Sequence, residues 1–465
     1  MPSDFTRACL RLLLTAAAVL SPGALLAAES SRPSRPSVLF ILADDLGYGD
    51  LGCYGCRDIR TPTIDRLAAE GVRFTCYYAN GAECTPTRTA LMTGRYQQRV
   101  GGLECAIGVG NVGRYDDAIR LAQQHDLGLP ADQNQLVRGL KQAGYAAAIC
   151  GKWHLGYEDK FSPNSHGFDF AFYCLGGGTD YFHHVEDPPE YLPVLRLNGK
   201  PIKRPGYFTD LVAEESVRLI KEQAGKPFFL YVPLTAPHAP YQGPNDFRPQ
   251  PLPADSPLWN QSKGPPQVYA AMVERMDQAV GKILAALDGK AISDRTLVIF
   301  ASDNGGTASA RPCGLRGLKG TTFEGGIRVP CIVRWPGVLP KGAVTDQPAI
   351  TMDLTASILR AAGVYGLPGQ TLDGIDILRE VERGGPPKPR TLFWRKRRGE
   401  VTWRAVRDED LKWVTHRQGD KTQEYLFHLG NDRAEENNLL ATRPEDAARL
   451  KRLLAEWERE VQPRR

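Results

Sequence analysis

Short, wholly apolar runs alternate with amphipathic segments over most of the chain. The apolar runs are rich in β-branched or aromatic residues, as in strands buried on both faces, and they lie at residues 38–43, 145–150, 228–234 and 296–301. Between them apolar residues recur at helical spacing, at residues 61–71, 135–143, 211–223 and 268–287. This alternation predicts an α/β fold with a large, mostly parallel sheet covered by helices on both faces.

The pattern changes after about residue 363. Four short runs with intervening turn residues predict antiparallel strands, at residues 391–394, 403–407, 412–416 and 425–429. Apolar residues at helical spacing then predict a closing helix at residues 445–461. A chain of 465 residues has room for such an appendage. We therefore expect a main domain at residues 38–363 and a smaller α+β subdomain with an antiparallel sheet at residues 364–465.

The N-terminal segment differs from the rest in composition. Arg7 and Arg11 precede the apolar residues 12–20, and small residues follow as far as Ala28. This order is typical of a cleavable export signal, and the apolar run is shorter than the roughly 20 residues that span a bilayer. We expect a signal peptide at residues 1–28, a linker at residues 29–37, and an exported, soluble mature protein without a membrane span.

The charge of the chain indicates little about its partners. A net charge of +5 is too small to predict a nucleic-acid partner. The basic run Arg395-Lys396-Arg397-Arg398 could contact an anionic polymer, but charge runs at turns are more often solvated surface. We expect the run to be solvated surface.

Ten cysteines are present, and export permits disulfide bonds. Without Cys9, in the signal, and Cys84, in the motif described below, eight remain that could pair, in a connectivity that the sequence leaves open. Cys53 and Cys56 form a Cys-x-x-Cys pair, but no second Cys or His pair at zinc spacing accompanies them. We expect no zinc or redox site there.

Polar residues follow each of the four predicted core strands. Ligands of open parallel sheets bind beyond the carboxyl ends of the strands, so these polar residues should meet at one edge of the sheet. They are Asp44 and Asp45, Lys152 and His154, His238, and Asp303 and Asn304.

The acidic members of this set indicate a metal site. Asp44, Asp45, Asp303 and Asn304 offer only oxygen ligands, which suit a hard divalent cation and disfavour zinc or copper. One Asp-Asp or Asp-Asn pair after a strand is commonly a turn or a helix cap, but two such pairs in one fold favour metal ligation. We expect Ca²⁺ in preference to Mg²⁺.

The basic members are candidates for binding an anion or moving a proton. Lys152 and His154 alternate, so in an extended chain both side chains face one side. His238 lies in a proline-stiffened loop, which limits its movement. Lys319 begins a glycine-rich stretch, where backbone can approach a tetrahedral anion closely.

Residues 84–95 carry the most specific motif, a Cys-x-Pro-x-Arg element followed by Thr-Gly-Arg. The motif resembles the signature of the arylsulfatase-like type I sulfatases. The resemblance extends from about residue 38 to the C-terminal helix, because further elements occur in the family's order: Asp44-Asp45, Gly-Lys-Trp-His at 151–154, Pro-His-x-Pro at 237–240, Asp303-Asn304, Lys319-Gly320 and Glu-Glu-Asn-Asn-Leu at 435–439. It implies an alkaline phosphatase-like fold and the hydrolysis of sulfate esters, with sulfated carbohydrates as the expected substrates.

The resemblance also assigns roles to individual residues. In the family a maturation enzyme oxidises the signature cysteine to formylglycine before folding, and the hydrated aldehyde is the nucleophile; Cys84 matches this position. Arg88 would hold the hydrate and help to bind the cation. The Ca²⁺ ligands would be Asp44, Asp45, Asp303, Asn304 and the modified Cys84. The residues around the sulfate would be Lys152, His154, His238 and Lys319, and either His238 or Lys319 would protonate the leaving oxygen.

The implied chemistry is coherent. A geminal diol offers one hydroxyl to attack sulfur and a second whose deprotonation expels sulfate, an exit that the sulfated adduct of a serine or thiol lacks. Many members have Ser where this chain has Thr87, but the Cys-x-Pro-x-Arg element is intact.

Three alternatives remain open from the sequence. A disulfide role is possible for Cys84. A phosphodiesterase or phosphonate hydrolase would share the fold, but a second metal site is not evident. A catalytically silent binding protein would be expected to lack a signature residue, and none is missing. Further pocket residues are expected among Thr179, Asp180, His183 and His184.

Overall fold

A ten-stranded sheet lies at the centre of the computed structural model, which describes residues 35–222, 225–367 and 371–463. The strands follow one another in the spatial order β11-β2-β10-β9-β1-β8-β4-β5-β6-β7. Their bounds are β1 Ser37–Ala43, β2 Val72–Phe74, β4 Ala146–Lys152, β5 Phe170–Cys174, β6 Leu195–Leu197, β7 Lys200–Pro201, β8 Phe228–Pro233, β9 Thr296–Ser302, β10 Cys331–Arg334 and β11 Ala343–Thr345. Two short strands, β3 Tyr77–Tyr78 and β12 Ala349–Ile350, pair separately.

The five central strands of this sheet are parallel. Strand β1 pairs with β8 and β9, placing Phe40 between Tyr231 and Ile299, and β4 pairs with β8 and β5. Antiparallel pairings occur at both edges, where β10 runs against β9 and β6 against β5. The predicted mostly parallel sheet is confirmed, and the carboxyl ends of its central strands share one edge.

Helices cover both faces of the sheet. Alternate residues of β1 enter two separate cores, Phe40 on one face and Ile41 on the other, as the two-residue period of a strand requires. The helices are α1 Pro62–Glu70, α2 Cys84–Thr93, α3 Asp116–Gln123, α4 Gln135–Gln142, α5 Phe208–Glu222, α6 Pro266–Gly289, α7 Glu324–Ile327, α8 Thr351–Ala361, α9 Ile377–Arg383 and α10 Pro444–Glu460. The Phe40 core includes residues of α2, α4 and α8, and the Ile41 core includes residues of α1, α5 and α6.

A four-stranded antiparallel meander follows the main sheet. Its strands pair in sequence order and are β13 Thr391–Arg398, β14 Val401–Asp408, β15 Leu411–Gln418 and β16 Lys421–His428. Trp394 and Trp457 share a third core with Tyr78 and Ala90 from the earlier part of the chain, and Trp394 Nε1 donates to Ala79 O over 2.8 Å. The meander therefore packs directly against the segments that flank α2.

The basic run at residues 395–398 corrects one expectation. It lies on β13 rather than at a turn, and Arg395 and Lys396 are buried. Arg395 pairs with Glu104 over 2.7 Å, and Lys396 pairs with Glu83 over 2.7 Å. Partners distant in the sequence neutralise the run, so it is not simply solvated surface.

Further expectations concerned disulfide bonds, membrane spans, the N-terminal segment and the domain boundary. The described part of the chain contains no disulfide bond, since all its cysteines are free. None of its helices is long and apolar enough to cross a membrane. The signal peptide at residues 1–28 and most of the linker lie outside the described residues, and the domain boundary near residue 363 stays a prediction.

Candidate active site

The carboxyl edge of the sheet brings the predicted site residues together. Asp44 and Asp45 follow β1, Lys152 ends β4, the loop after β8 carries His238, and Asp303 and Asn304 follow β9. Helix α2 contributes Cys84 and Arg88, and the loop before α7 contributes Lys319. All of these side chains are buried except that of Lys319, which is 15% exposed.

Cys84 is the first residue of α2. The preceding Glu83 is extended, Pro86 lies in the first turn where its missing N–H is tolerated, and Gly94 ends the helix with φ 64°. The Thr87 hydroxyl accepts from Gly81 N over 3.0 Å and donates to Gly81 O over 3.2 Å. Thr87 therefore fixes the turn that leads into Cys84, which places the thiol at the helix N-terminus.

His154 contacts the Cys84 thiol directly. Cys84 Sγ lies 3.2 Å from His154 Nδ1, and His154 Nε2 lies 3.0 Å from Ile107 O. The carbonyl accepts only, so Nε2 carries the proton and Nδ1 presents a lone pair to position 84. Burial, followed by repulsion from Lys152, holds the pKa of His154 well below its usual value. Burial raises the pKa of Cys84 to about 11.

Asp44 and Asp303 form the centre of a buried charge cluster. Arg88 donates to Asp303 Oδ2 from Nε over 3.0 Å and from Nη2 over 2.7 Å, and Lys152 pairs with Asp44 Oδ2. Burial alone would raise the pKa of Asp44, but the charges of Lys152 and its neighbours outweigh it and lower that pKa. Burial and repulsion from Asp44 raise the pKa of Asp303 to about 7.

Asp45 joins the remaining site residues. Its carboxylate accepts from Asn304 Nδ2 over 2.7 Å and from Lys319 Nζ over 2.8 Å, and His238 Nε2 lies 3.6 Å from it. His238 Nδ1 lies 2.5 Å from Ala239 O, which leaves Nε2 free of the proton. Burial, followed by the charge of Lys319, lowers the pKa of His238 to about 4. Asp45 itself has φ 63°, a conformation that costs energy outside glycine and is frequent at functional sites.

The acidic residues fit a hard divalent cation. Ligand atoms of Asp44, Cys84 and Asp303 lie within 4.8 Å of one another, as do those of Asp44, Asp45 and His238. Asp44 Oδ1 and Asn304 Oδ1 are buried without a hydrogen-bond partner among the described residues, an arrangement that is costly unless a ligand completes it. Carboxylate and amide oxygens in this number suit Ca²⁺ or Mg²⁺.

A cavity of about 40 Å³ opens above these residues. Cys84, His154, His238 and Lys319 line it together with Arg398, the last residue of the basic run on β13, and with residues that the sequence did not single out: Glu83, residues 106–109, Arg114, Tyr157, Gly177, Gly178, Asp187 and Gln261. No motif marks these additional residues, which come from separate segments of the chain. Only the folded chain brings them together.

The pocket candidates at residues 179–184 are placed elsewhere. The cavity wall in this region consists of Gly177, Gly178 and Asp187. Asp180 instead accepts from the backbone of Phe182 and Leu252, and His183 Nε2 contacts Arg248 O. Asp180 and His183 therefore hold the surrounding loops, and the residues that line this cavity do not include the four candidates at 179–184.

Lys396 connects the antiparallel sheet to this site. Its ammonium group donates to Gly320 O over 2.8 Å and pairs with Glu83 over 2.7 Å. Glu83 directly precedes Cys84, and Gly320 directly follows Lys319. One side chain of β13 therefore spans the two segments that carry the thiol and the lysine.

Comparisons with known proteins agree with this geometry. A family model described as Sulfatase matches residues 36–364. The N-acetylgalactosamine-6-sulfatase of Canis lupus familiaris is 34% identical over 91% of this chain and 84% of its own, and the arylsulfatase A of Bos taurus is 34% identical over 79% and 72%.

Among solved structures, that of Ps i-CgsB in complex with k-i-k-neocarrahexaose is similar to this chain with a TM-score of 0.78 and 30% identity, covering 91% of this chain and 92% of that one. A phosphonate monoester hydrolase of Agrobacterium radiobacter shares the fold with a TM-score of 0.61 at 22% identity. The match over most of the chain, with the acidic and basic residues gathered around Cys84, shows that the protein belongs to the sulfatase family of sulfuric ester hydrolases.

Proposed function

We propose that this protein hydrolyses sulfate esters of carbohydrates, using a formylglycine made from Cys84 and a bound Ca²⁺ ion. The observation that carries the proposal is the position of Cys84, buried at the floor of a small cavity with His154 against its Sγ atom and three carboxylates nearby. A maturation enzyme would supply the aldehyde, whose hydrate provides an oxygen nucleophile in place of the thiol.

The cation would bind to Asp44, Asp45, Asp303 and Asn304, next to position 84. The unpartnered Asp44 Oδ1 and Asn304 Oδ1 atoms support this assignment, and oxygen donors alone favour Ca²⁺ over zinc. When bound, the cation supplies a positive charge that stabilises negative charge on the sulfuryl oxygens. Arg88 holds Asp303 through two nitrogens and keeps that carboxylate oriented.

The basic residues have distinct tasks in this proposal. His154 presents an unprotonated Nδ1 to position 84, where it accepts or positions a proton. Lys319 lines the cavity and Lys152 is paired with Asp44, and both place positive charge near the sulfate. His238 Nε2 and Lys319 Nζ lie on the Asp45 side of the site; because His238 Nε2 carries no proton in this arrangement, Lys319 delivers the proton to the leaving alcohol oxygen.

The substrate class follows from the relatives and from the cavity. One relative is named for N-acetylgalactosamine 6-sulfate, and one similar structure holds a neocarrahexaose. The cavity walls carry carboxylate, amide and guanidinium groups, which bind sugar hydroxyls and anions. Residues 1–28 have the order of an export signal, so we propose that the enzyme acts outside the cytoplasm.

A phosphonate or phosphodiester substrate is the competing proposal. Two-metal phosphate enzymes hold their ions roughly 3.5–4 Å apart on separate ligands. Among the described residues, both candidate metal groups contain Asp44, so no independent second set of ligands accompanies the first. This favours the sulfate ester.

The test is mass spectrometry of the proteolytic peptide that contains Cys84, from protein produced with a maturation enzyme, together with an aldehyde-reactive probe. We expect an aldehyde at position 84 and an unmodified thiol at Cys105, a buried cysteine that serves as the internal control. Sulfate release from sulfated sugars should accompany the aldehyde. A thiol at position 84, despite maturation of a control substrate, would contradict the mechanism.

A further inference from the structure

One side of the cavity carries positive charge in addition to that of the residues proposed for hydrolysis. Arg398 Nη1 lies 3.1 and 3.2 Å from the two oxygens of Glu83, and Lys396 pairs with the same carboxylate. The Arg398 side chain is still 40% exposed. One carboxylate is therefore shared by two cations at the rim of the cavity.

Arg114 adds a cation that forms no ion pair with a carboxylate within the described part of the chain. It lines the cavity, and its buried Nε atom has no hydrogen-bond partner among the described residues. The nearby Arg397, by contrast, pairs with both Glu104 and Asp117. A buried guanidinium nitrogen without an acceptor is costly, and an anionic ligand would remove that cost.

The surrounding backbone holds Arg114 in place. Gly399 N, in the turn after β13, donates to Arg114 O over 2.6 Å. A Cβ atom placed on Gly108 would lie 2.9 Å from Arg114 Nη2, so the guanidinium lies against a backbone that has no side chain there. The Arg114 guanidinium therefore lies along the loop at residues 106–109, and this loop forms one wall of the cavity.

A second polar group lines the cavity and suits a sugar hydroxyl. Gln261 Nε2 donates to Asp187 Oδ2 over 3.0 Å, which orients the carboxylate. No hydrogen bond of the described residues involves Oδ1 of Asp187, and this atom lies beside Gly178 on the cavity wall. Carboxylate oxygens readily accept from hydroxyl groups.

We propose that Arg114, flanked by Arg398, binds a second anionic group of the substrate, either a second sulfate or a carboxylate on the same or the adjoining sugar. The inference rests on the proposed function, because it places this group beside the ester that is cleaved. A guanidinium matches both oxyanions with two parallel N–H donors. The preferred substrate is thus a polyanionic saccharide rather than a singly sulfated one.

The test compares matched substrate pairs in the mature enzyme. One pair is a monosulfated hexosamine and the same sugar with a second sulfate; the other is a sulfated disaccharide containing a uronate and its carboxyl-reduced form. We expect a higher kcat/KM for the dianionic member of at least one pair, and the pair that shows it identifies the anion. Arg114→Gln should reduce that ratio about tenfold or more, the usual effect of a charge-assisted bond, and Arg114→Lys should give an intermediate ratio.

Arg120→Gln is the matched control, because Arg120 is exposed on α3, outside the cavity lining; its ratio should equal that of the wild type. The Kd values of the same substrate pairs are also measured in a Cys84→Ser background. Their ratio tests the role of Arg114 in binding even if turnover is absent. Absence of turnover by the aldehyde-bearing wild type would overturn the proposed function alone. Equal ratios in wild type and Arg114→Gln would overturn the role of Arg114.

Discussion

The Cys84 thiol and the His154 imidazole are neighbours, with 3.2 Å between Sγ and Nδ1. The other ring nitrogen, Nε2, donates a hydrogen bond to Ile107 O. The imidazole is therefore held in one orientation, and the lone pair of Nδ1 is free. In the proposed function, the oxygen that replaces the thiol at position 84 therefore faces a proton acceptor.

Replacing His154 should impair turnover more than stability. His154→Ala should lower kcat by about 10²- to 10⁴-fold, the usual loss for a proton-transferring group. His154→Asn should retain more activity, because its amide oxygen can replace Nδ1 and Asn tolerates the observed φ of 56°. Steady-state kinetics checks both variants. His125→Ala, at an 85% exposed side chain, is the control, and unchanged kcat in His154→Ala would refute the role.

Removal of divalent cations should lower thermal stability as well as activity. A ligand that binds only the folded state stabilises it, by about 2.7 kcal/mol at 100 times Kd. Scanning calorimetry should show a Tm that falls with a chelator and rises again with Ca²⁺. Asp44→Asn should abolish this Ca²⁺ dependence, while Asp58→Asn, at an exposed ion pair, should preserve it. A Tm indifferent to Ca²⁺ in the wild type would contradict the metal assignment.

Lys396→Met should disturb the site although Lys396 itself does not line the cavity. The substitution removes the ammonium group that links Glu83 to Gly320 O, so the buried Glu83 carboxylate loses one of its compensating positive charges. Breaking a buried ion pair costs about 3–5 kcal/mol. We expect lower stability in urea and a lower kcat. Adding Glu83→Gln should recover part of the stability. Lys388→Met, at an exposed lysine, is the control; a double mutant no more stable than Lys396→Met would argue against the pairing.

Glu186 should make stability depend on pH. Burial raises its pKa to about 7; one carboxyl oxygen accepts from Tyr157, and the other has no hydrogen-bond partner among the described residues. An acid whose pKa rises on folding favours the folded state while protonated, so stability should fall as the pH rises from about 4.5 to about 7.

Glu186→Gln should therefore become more stable than the wild type as the pH increases through this range, with a difference on the order of 3 kcal/mol. Urea unfolding at pH 4.5 and pH 7.5 measures the difference. The exposed Glu190→Gln serves as the reference substitution. A constant difference between Glu186→Gln and wild type across the range would show that this carboxyl does not titrate as described.

The central fold was predictable because its strands are buried on both faces and so read as continuous apolar runs, as at residues 38–43. The edge strands were not, since β7 and β12 have two residues each and no periodicity. Strand β13 extends beyond residue 394 because Glu83 and Glu104 neutralise its basic half. No local signal in the sequence reports partners that lie about 300 residues away.

The residues of the candidate site were also predictable only in part. Residues at strand ends or in the Cys84 motif were found because topology or a resemblance marked them. Arg114, Asp187 and Gln261 come from loops without a pattern, and their proximity depends on how three separate segments pack. Asp180 and His183 illustrate a further difficulty, because polar side chains near a site are as often used to hold a loop.

The packing of β13 against the flanks of α2 has a consequence for biosynthesis. Cys84 is only 1% exposed in the folded protein, so the modification that we propose for Cys84 requires its maturation enzyme to act while this segment is still uncovered. The residues of β13, which cover Cys84 on one side, emerge from the ribosome about 300 residues after Cys84. At about 5–20 residues per second this is roughly 15 to 60 s later. In the proposed function, the C-terminal sheet thus sets the end of the interval for modification, and a chain that folds before it carries the aldehyde lacks the proposed nucleophile.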